Sequence, residues 1–328
     1  MIKTKDDFDN VLSLFDGMSC GQIALDELNI DVKNYYASEI NKYAIKVTQH
    51  NYPNTKQIGD IKKLTKEKLD KLPKIDLIIG GSPCQNLSPA VISRNNYNQG
   101  LKGEKSSLFY EFVRIFDLVK KKNPDFKFLF ENVAGMSNKD EQIISKTLEV
   151  EPLMIDSNLF SAQNRKRYYW TNLEVDDFPK KSDKVLEDII LSPEEVEKED
   201  TGRMKVWYEK DFERINQSGN VAALLDINGH DILKRVYKKN HKCATLTTCG
   251  GGNTQKKIIQ EGRVRKLLPI EYERLQNVPD NYTDKVSNTR RYNMLGNGWT
   301  VGVIKHIVKR ISKKKIVAEK KTLNISKI

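Results

Sequence analysis

No stretch of this 328-residue chain approaches the ~20 consecutive apolar residues of a membrane span. The N-terminus lacks the basic and apolar regions of a signal peptide, so a cytoplasmic protein with no membrane partner is expected. Cysteine is scarce. The four cysteines stand at 20, 84, 243 and 249, none in a Cys-x-x-Cys pair, and the four histidines are scattered. That pattern speaks against a zinc site or a disulfide scaffold, and free thiols in a reduced compartment with no metal are the expectation. A three-glycine dinucleotide fingerprint is missing, as is any internal repeat.

Basic charge is in surplus. Lys and Arg number 56 against 44 Asp and Glu, giving a net +12 and a pI near 9.2. Such a balance favours a polyanionic partner, with nucleic acid ahead of a membrane surface. A lysine-rich coding bias is the bland alternative. The length suits a large α/β unit plus a smaller one.

Strand-like and helix-like segments alternate in the first half. Apolar runs at 11–15, 35–38, 75–79 and 126–130 read as strands, with helices predicted over 22–28, 41–51, 108–121 and 140–149. A further pair of strands is read around 154–159 and 168–173. Turn-bounded apolar strands separated by helices predict a parallel sheet covered on both faces. After about Asn172 the composition shifts to Lys, Asp, Glu, Ser and Pro, then to a basic, glycine-punctuated stretch. α/β patterning returns at 265–276 and 301–311.

Chemistry concentrates at the predicted strand ends, where open α/β sheets bind ligands. The run Ile75–Ile79 feeds Gly80-Gly81-Ser82-Pro83-Cys84, and Phe126–Phe130 feeds Glu131-Asn132-Val133. A thiol and a carboxyl group are thus offered together. The first turn, Phe15-Asp16-Gly17-Met18-Ser19-Cys20-Gly21, leads from strand to helix, and Glu39 ends the next strand about twenty residues on, where an acid takes ribose hydroxyls. Asp60 is a further acid, placed to accept from an adenine amine. Singly, each acid also reads as a helix cap or turn residue. Several at successive strand ends favour an adenosine-containing ligand.

The ordered set Phe15-Asp16-Gly17…Gly21, Ser82-Pro83-Cys84-Gln85, Glu131-Asn132-Val133, Gln163-Asn164-Arg165-Lys166-Arg167, Arg274-Leu275-Gln276 and Gly296-Asn297-Gly298 resembles the DNA (cytosine-5) methyltransferases of prokaryotic or phage type. Wording such as Tyr36-Ala37-Ser38-Glu39 is also similar to the vertebrate de novo branch. The resemblance spans about residues 11–172 and 263–311. It implies a Rossmann-like sheet of the S-adenosylmethionine-dependent methyltransferases with a smaller inserted target-recognition domain. The implied division is a catalytic and cofactor-binding domain at 1–173, the target-recognition domain at 174–262, a return to the catalytic domain at 263–311, and a basic tail at 312–328.

By that resemblance the cofactor is S-adenosyl-L-methionine, the product S-adenosyl-L-homocysteine, and no metal takes part. Phe15, Asp16, Gly17, Met18, Ser19, Gly21, Glu39, Ile40, Asp60, Ile61, Ser82, Pro83, Asn297 and Thr300 would hold the cofactor. Cys84 would add as thiolate to carbon 6 of a flipped cytosine, since carbon 5 is too weak a nucleophile unaided. Glu131 would hold the exocyclic amine and protonate N3. Arg167 would contact the base carbonyl, and Arg165 the flanking phosphate.

Double-stranded DNA would be the partner, met by one chain, with a cognate restriction enzyme in a restriction-modification system as a further implied partner. Ser88 and Arg94 lie in a long polar loop that suits a lid over the base. Lys234, Arg235, Lys238 and Lys239 would contact phosphates, which gives affinity without sequence information. Thr247 and Thr248 are placed near the target base. Cys249 stands where the vertebrate branch has a guanine-reading arginine, so a CpG preference does not carry over. A transfer-RNA cytosine methyltransferase and a catalytically silent DNA-binding relative remain the alternatives.

Overall fold

The computed structural model describes residues 8–83, 100–102, 108–200, 204–215, 219–249 and 253–310. They divide into two compact units, one of 1–155, 166–177 and 303–328, the other of 156–165 and 178–302. Residues 263–302 fall in the second unit and 303–310 in the first.

The first unit is built on a seven-stranded sheet. Its strands are β1 (Asn10–Leu14), β2 (Asn34–Ser38), β3 (Lys56–Gln57), β4 (Leu77–Gly80), β5 (Lys127–Val133), β6 (Leu153–Asp156) and β7 (Lys166–Thr171). The order is β3-β2-β1-β4-β5-β7-β6. Strands β1 to β5 pair in parallel, whereas β7 enters antiparallel to β5. The strand order reverses between β1 and β4, and crevices at such switch points hold ligands.

Buried parallel strands need apolar residues on both faces. Accordingly Val11, Leu12, Leu14, Leu77, Ile78 and Ile79 are all within 1 % of full burial. The helix Leu108–Lys122 buries Phe109, Phe112, Ile115, Phe116 and Val119, a spacing of three or four that makes one stripe. Phe112 meets Phe130 of β5 with ring centroids 4.6 Å apart. Three lysines close its last turn, where cations oppose the carbonyl end of the helix, and Pro124 follows shortly after.

Strand β5 outruns its predicted end. Glu131, Asn132 and Val133 belong to it, because β7 pairs with them through Tyr169, Tyr168 and Arg167 after β4 has stopped at Gly80.

The second unit carries a six-stranded sheet of β8 (Val206–Trp207), β9 (Phe212–Arg214), β10 (Val221–Leu225), β11 (Arg235–Tyr237), β12 (Lys257–Gln260) and β13 (Arg263–Lys266). They run in the order β8-β13-β12-β11-β10-β9. Its apolar cluster is small: Trp207, Phe212, Ala223, Leu225, Val236 and Val264. Buried ion pairs supplement it. Glu271 takes both Arg265 Nη atoms at 2.6 and 2.9 Å, and Glu273 takes Arg291 at 3.1 Å. Among the described residues, no helix is long and apolar enough to cross a membrane.

Candidate active site

The turn after β1 is held in an unfavourable shape by specific partners. Phe15, Gly17 and Ser19 all have positive φ, at 59°, 59° and 62°. For Phe and Ser this left-handed backbone costs on the order of 1–3 kcal/mol each and is found where a site over-determines it. The Asp16 carboxyl supplies that determination by accepting from Ser19 Oγ and from Tyr35 Oη. Burial pushes it up to about 6, against the opposing hydrogen bonds from Ser13, Ser19 and Tyr35. Glu39 then ties the turn to β2. Its Oε2 accepts from Gly17 N and its Oε1 from Ile40 N and Asn41 N, each at 2.7 Å.

The expected cofactor residues separate into two groups. Ile40 is 74 % exposed, an apolar side chain presented beside Glu39. Glu39, Phe15 and Gly17 are half-buried around the turn. Met18, Ser19, Gly21 and Ile61 are buried and shape the turn from beneath. A Cβ on Gly21 would stand 2.2 Å from Ile79 Cδ1, so this glycine lets the helix Cys20–Glu27 approach β4. Asp60 caps the short helix Ile61–Lys63 by accepting from Lys62 N at 3.0 Å. The turn, its exposed Ile40 and the Glu39 carboxylate suit an adenosine-bearing ligand: an apolar surface for a base and an acceptor for ribose hydroxyls.

At the ends of β4 and β5 the chemistry is assembled by register. Glu131 opposes Tyr169 and Val133 opposes Arg167, which puts Glu131 and Arg167 on one face as diagonal neighbours. Arg167 Nε reaches Glu131 Oε1 at 2.9 Å, with the side chains only 13 and 11 % exposed. Asn132 points to the opposite face, and its Nδ2 donates to Ser82 O at 3.2 Å and Ser82 Oγ at 3.3 Å. It thereby holds the Ser82-Pro83 turn that precedes Cys84. Reading the sequence assigned Asn132 no task of its own. Its place between a strand-end acid and the pairing partner of β7 is the signal that would have found it. Cys84, Ser88 and Arg94 lie outside the described residues.

In the second unit several motif residues are structural. Arg165 is 3 % exposed, and its guanidinium donates to Leu246 O, Gly296 O and Gly298 O at 3.0, 3.2 and 3.0 Å. The guanidinium expected to meet a flanking phosphate is thus engaged within the chain. Gln276 donates to Leu295 O and Gly298 O and accepts from Gln163 and Thr300. The Thr300 hydroxyl also meets Ser157 Oγ at 2.8 Å. Asn297, in contrast, is exposed at the end of the helix Asn288–Asn297.

The basic run is partly engaged within the chain. Arg235 pairs with Asp231 and Lys239 with Glu187, both exposed pairs of the kind that exchange readily for other anions. Lys234 and Lys238 are half-buried, and Thr247 and Thr248 are exposed. Cys249 is buried with its thiol on Thr247 O, and burial pushes the Cys243 thiol up to about 11. Among the described residues, no group of three or more His, Cys, Asp or Glu is placed to hold a metal ion.

A sheet ordered 3-2-1-4-5-7-6 with an antiparallel seventh strand and ligand-shaped turns at its switch point has the fold of the S-adenosylmethionine-dependent methyltransferases. Within that class, the family model for C-5 cytosine-specific DNA methylase matches residues 10–313, and the chain belongs to that family. Orphan methyltransferase M.SPBetaI of Bacillus phage SPbeta is 27 % identical over 92 % of this chain and 97 % of its own length. Orphan methyltransferase M.Rho11sI of Bacillus phage rho11s is 34 % identical over 48 % of this chain and 32 % of its own. Among solved structures, Entamoeba histolytica methyltransferase EhMeth shares the fold at a TM-score of 0.65 and 14 % identity, over 94 % of this chain and 98 % of that one. Spodoptera frugiperda DNMT2 does so at 0.60 and 19 %, over 92 % and 99 %.

Proposed function

We propose that the protein is a DNA (cytosine-5) methyltransferase that methylates carbon 5 of a flipped cytosine in duplex DNA through a covalent Cys84 adduct. The observation that carries the reading is the Glu131–Arg167 pair, set on one face by the β5–β7 register beside the turn that leads to Cys84. Family membership supports it.

In this mechanism the Cys84 thiolate adds to carbon 6 of the base, which makes carbon 5 an enamine-like nucleophile. Glu131 holds the exocyclic amine and delivers a proton to N3 as charge builds on the ring. Arg167 orients the Glu131 carboxyl by its ion pair and presents its remaining donors to the base carbonyl. S-adenosyl-L-methionine, held by Glu39, Phe15 and Ile40, would supply the methyl group from its sulfonium and leave S-adenosyl-L-homocysteine. A base acting through water then takes the carbon-5 proton, the Cys84–carbon-6 bond breaks, and the N3 proton returns to Glu131, restoring the ring, the thiolate and the acid.

Glu39, Phe15 and Ile40 bind the adenosine end in this reading, and the family resemblance gives Asn297 the methionine end. Lys234, Arg235, Lys238 and Lys239 meet phosphates, while Thr247 and Thr248 lie near the target base. Metal ions play no part.

Bisulfite sequencing of DNA from cells expressing the protein is expected to reveal methylated cytosines in one sequence context. Duplexes carrying 5-fluorocytosine in that context are expected to trap a covalent complex with cofactor, and Cys84→Ser to abolish it. Methylation confined to transfer RNA would overturn the substrate, and binding without trapping would overturn the chemistry.

A further inference from the structure

Within the second unit, the end of the helix Asn288–Asn297 and the exposed Thr247–Thr248 segment are built against each other. A Cβ on Gly296 would stand 2.3 Å from the Thr247 carbonyl oxygen and 2.6 Å from the Thr248 nitrogen. Both are backbone atoms, so no side chain fits at 296 unless the peptide joining the two threonines moves. The missing Cβ is what lets the two backbones touch.

Arg165 spans the same junction. Its Nη1 holds Leu246 O, the residue before Thr247, and its Nη2 holds Gly296 O and Gly298 O, the residues on either side of Asn297. The group is buried, and a guanidinium presents its donors in a rigid planar fork. A shift of either segment therefore strains hydrogen bonds to the other. Leu246 N adds a tie of its own to Gln163 Oε1 at 3.3 Å, and Gln163 in turn donates to Gln276 Oε1 at 2.7 Å. Exposed Asn297 and exposed Thr247–Thr248 thus ride on one bracket.

We propose that Arg165 is a positioning residue that couples cofactor binding to DNA binding. Seating a cofactor on Asn297 fixes the Gly296 and Gly298 carbonyls. Through the guanidinium and the Gly296 contact, it also fixes the orientation of Thr247–Thr248. By linkage, a duplex on the threonines tightens the cofactor by the same factor. The inference rests on the assignment of Asn297 to cofactor and Thr247–Thr248 to DNA made above.

The test is calorimetric titration of the full chain with S-adenosyl-L-homocysteine, with and without saturating sheared genomic DNA from a host that lacks the enzyme. DNA is expected to tighten binding by about fivefold or more in the unaltered protein. In Arg165→Lys, whose ammonium cannot span three carbonyls, and in Gly296→Ala, that ratio is expected to fall towards one. An arginine that merely stabilises the unit would lower the melting temperature and leave the ratio intact, which overturns the proposal. A second measurement needs no variant. S-adenosyl-L-homocysteine alone is expected to slow amide exchange in the unaltered protein over residues 244–249, and unchanged exchange there overturns the coupling. Absence of any S-adenosyl-L-homocysteine or DNA binding by the unaltered protein is a separate result, which removes the functional reading and the coupling with it.

Discussion

Arg165 and Arg167 stand two residues apart in one motif, yet they serve the two units of the molecule in opposite ways. Arg167, on β7 of the first unit, pairs with a carboxyl that keeps some exposure. Arg165, in the second unit, is buried with its guanidinium on three carbonyls. The same division runs through the acids. Glu39 and Glu131 sit at the rim of a sheet, whereas Glu271 and Glu273 are fully buried and pair with arginines. A motif of like residues therefore mixes chemistry with architecture, and burial separates the two. The first unit has an extensive apolar core. The second has a small apolar cluster and uses polar groups as its frame.

That contrast breaks if Glu131 proves mainly structural. Glu131→Gln is expected to lower methyl transfer from tritiated cofactor by about 10²–10⁴, the range for a lost general acid. Its melting temperature should move little by comparison, and an activity loss that merely tracks unfolding would dissolve the distinction. Glu271→Gln should do the reverse. It leaves Arg265 buried without its counter-charge, and a loss of about 3–5 kcal/mol in urea unfolding is expected.

Asp16 sharpens the comparison, being a first-unit acid with a structural task. Its folded carboxyl, at about 6 against 3.8 unfolded, binds its proton more tightly in the native state. Stability therefore falls as pH rises from about 4 to about 6 and is flat beyond, by up to about 3 kcal/mol. Asp16→Asn is expected to flatten that slope in melts recorded across this window. Lys257 is the second unit's counterpart, buried with its ammonium on Leu233 O, Asn253 O and Gln255 O. Burial lowers it to about 8, so the folded state sheds its proton first and stability rises with pH above about 8. Lys257→Met should remove this rise and cost about 1–3 kcal/mol from carbonyls left unbonded.

What was legible in the sequence follows from how each element is buried. Strands β1, β2, β4 and β5 and the helix Leu108–Lys122 announce themselves through continuous apolar runs or a single stripe. Strand β3 is two residues long, and β8 to β13 run two to five residues, too short for a period to register. Glu131 was readable as an acid near the end of a strand. That it lies inside the strand depends on β7, a partner that arrives later in the chain. The resemblance gives the Arg-x-Arg pair two contacts outside the chain, the flanking phosphate for Arg165 and the base carbonyl for Arg167. Because β7 begins at Lys166, Arg165 falls outside the alternation and turns instead to Leu246, a contact 81 residues away that no local pattern encodes. The hydrogen bonds of Asp16 and Asp60 to their own turns follow local backbone geometry, which the sequence reading of these acids as turn or cap residues already allowed.

The antiparallel entry of β7 makes the site a two-position switch in evolutionary terms. Side chains alternate across a strand, so a single-residue insertion or deletion between 156 and 165 that slid β7 by one step would present Lys166 or Tyr168 to Glu131 in place of Arg167. Point substitution elsewhere does not restore the pairing; only a second length change does. Length in this connection is therefore expected to vary among functional descendants in steps that preserve parity, or not at all.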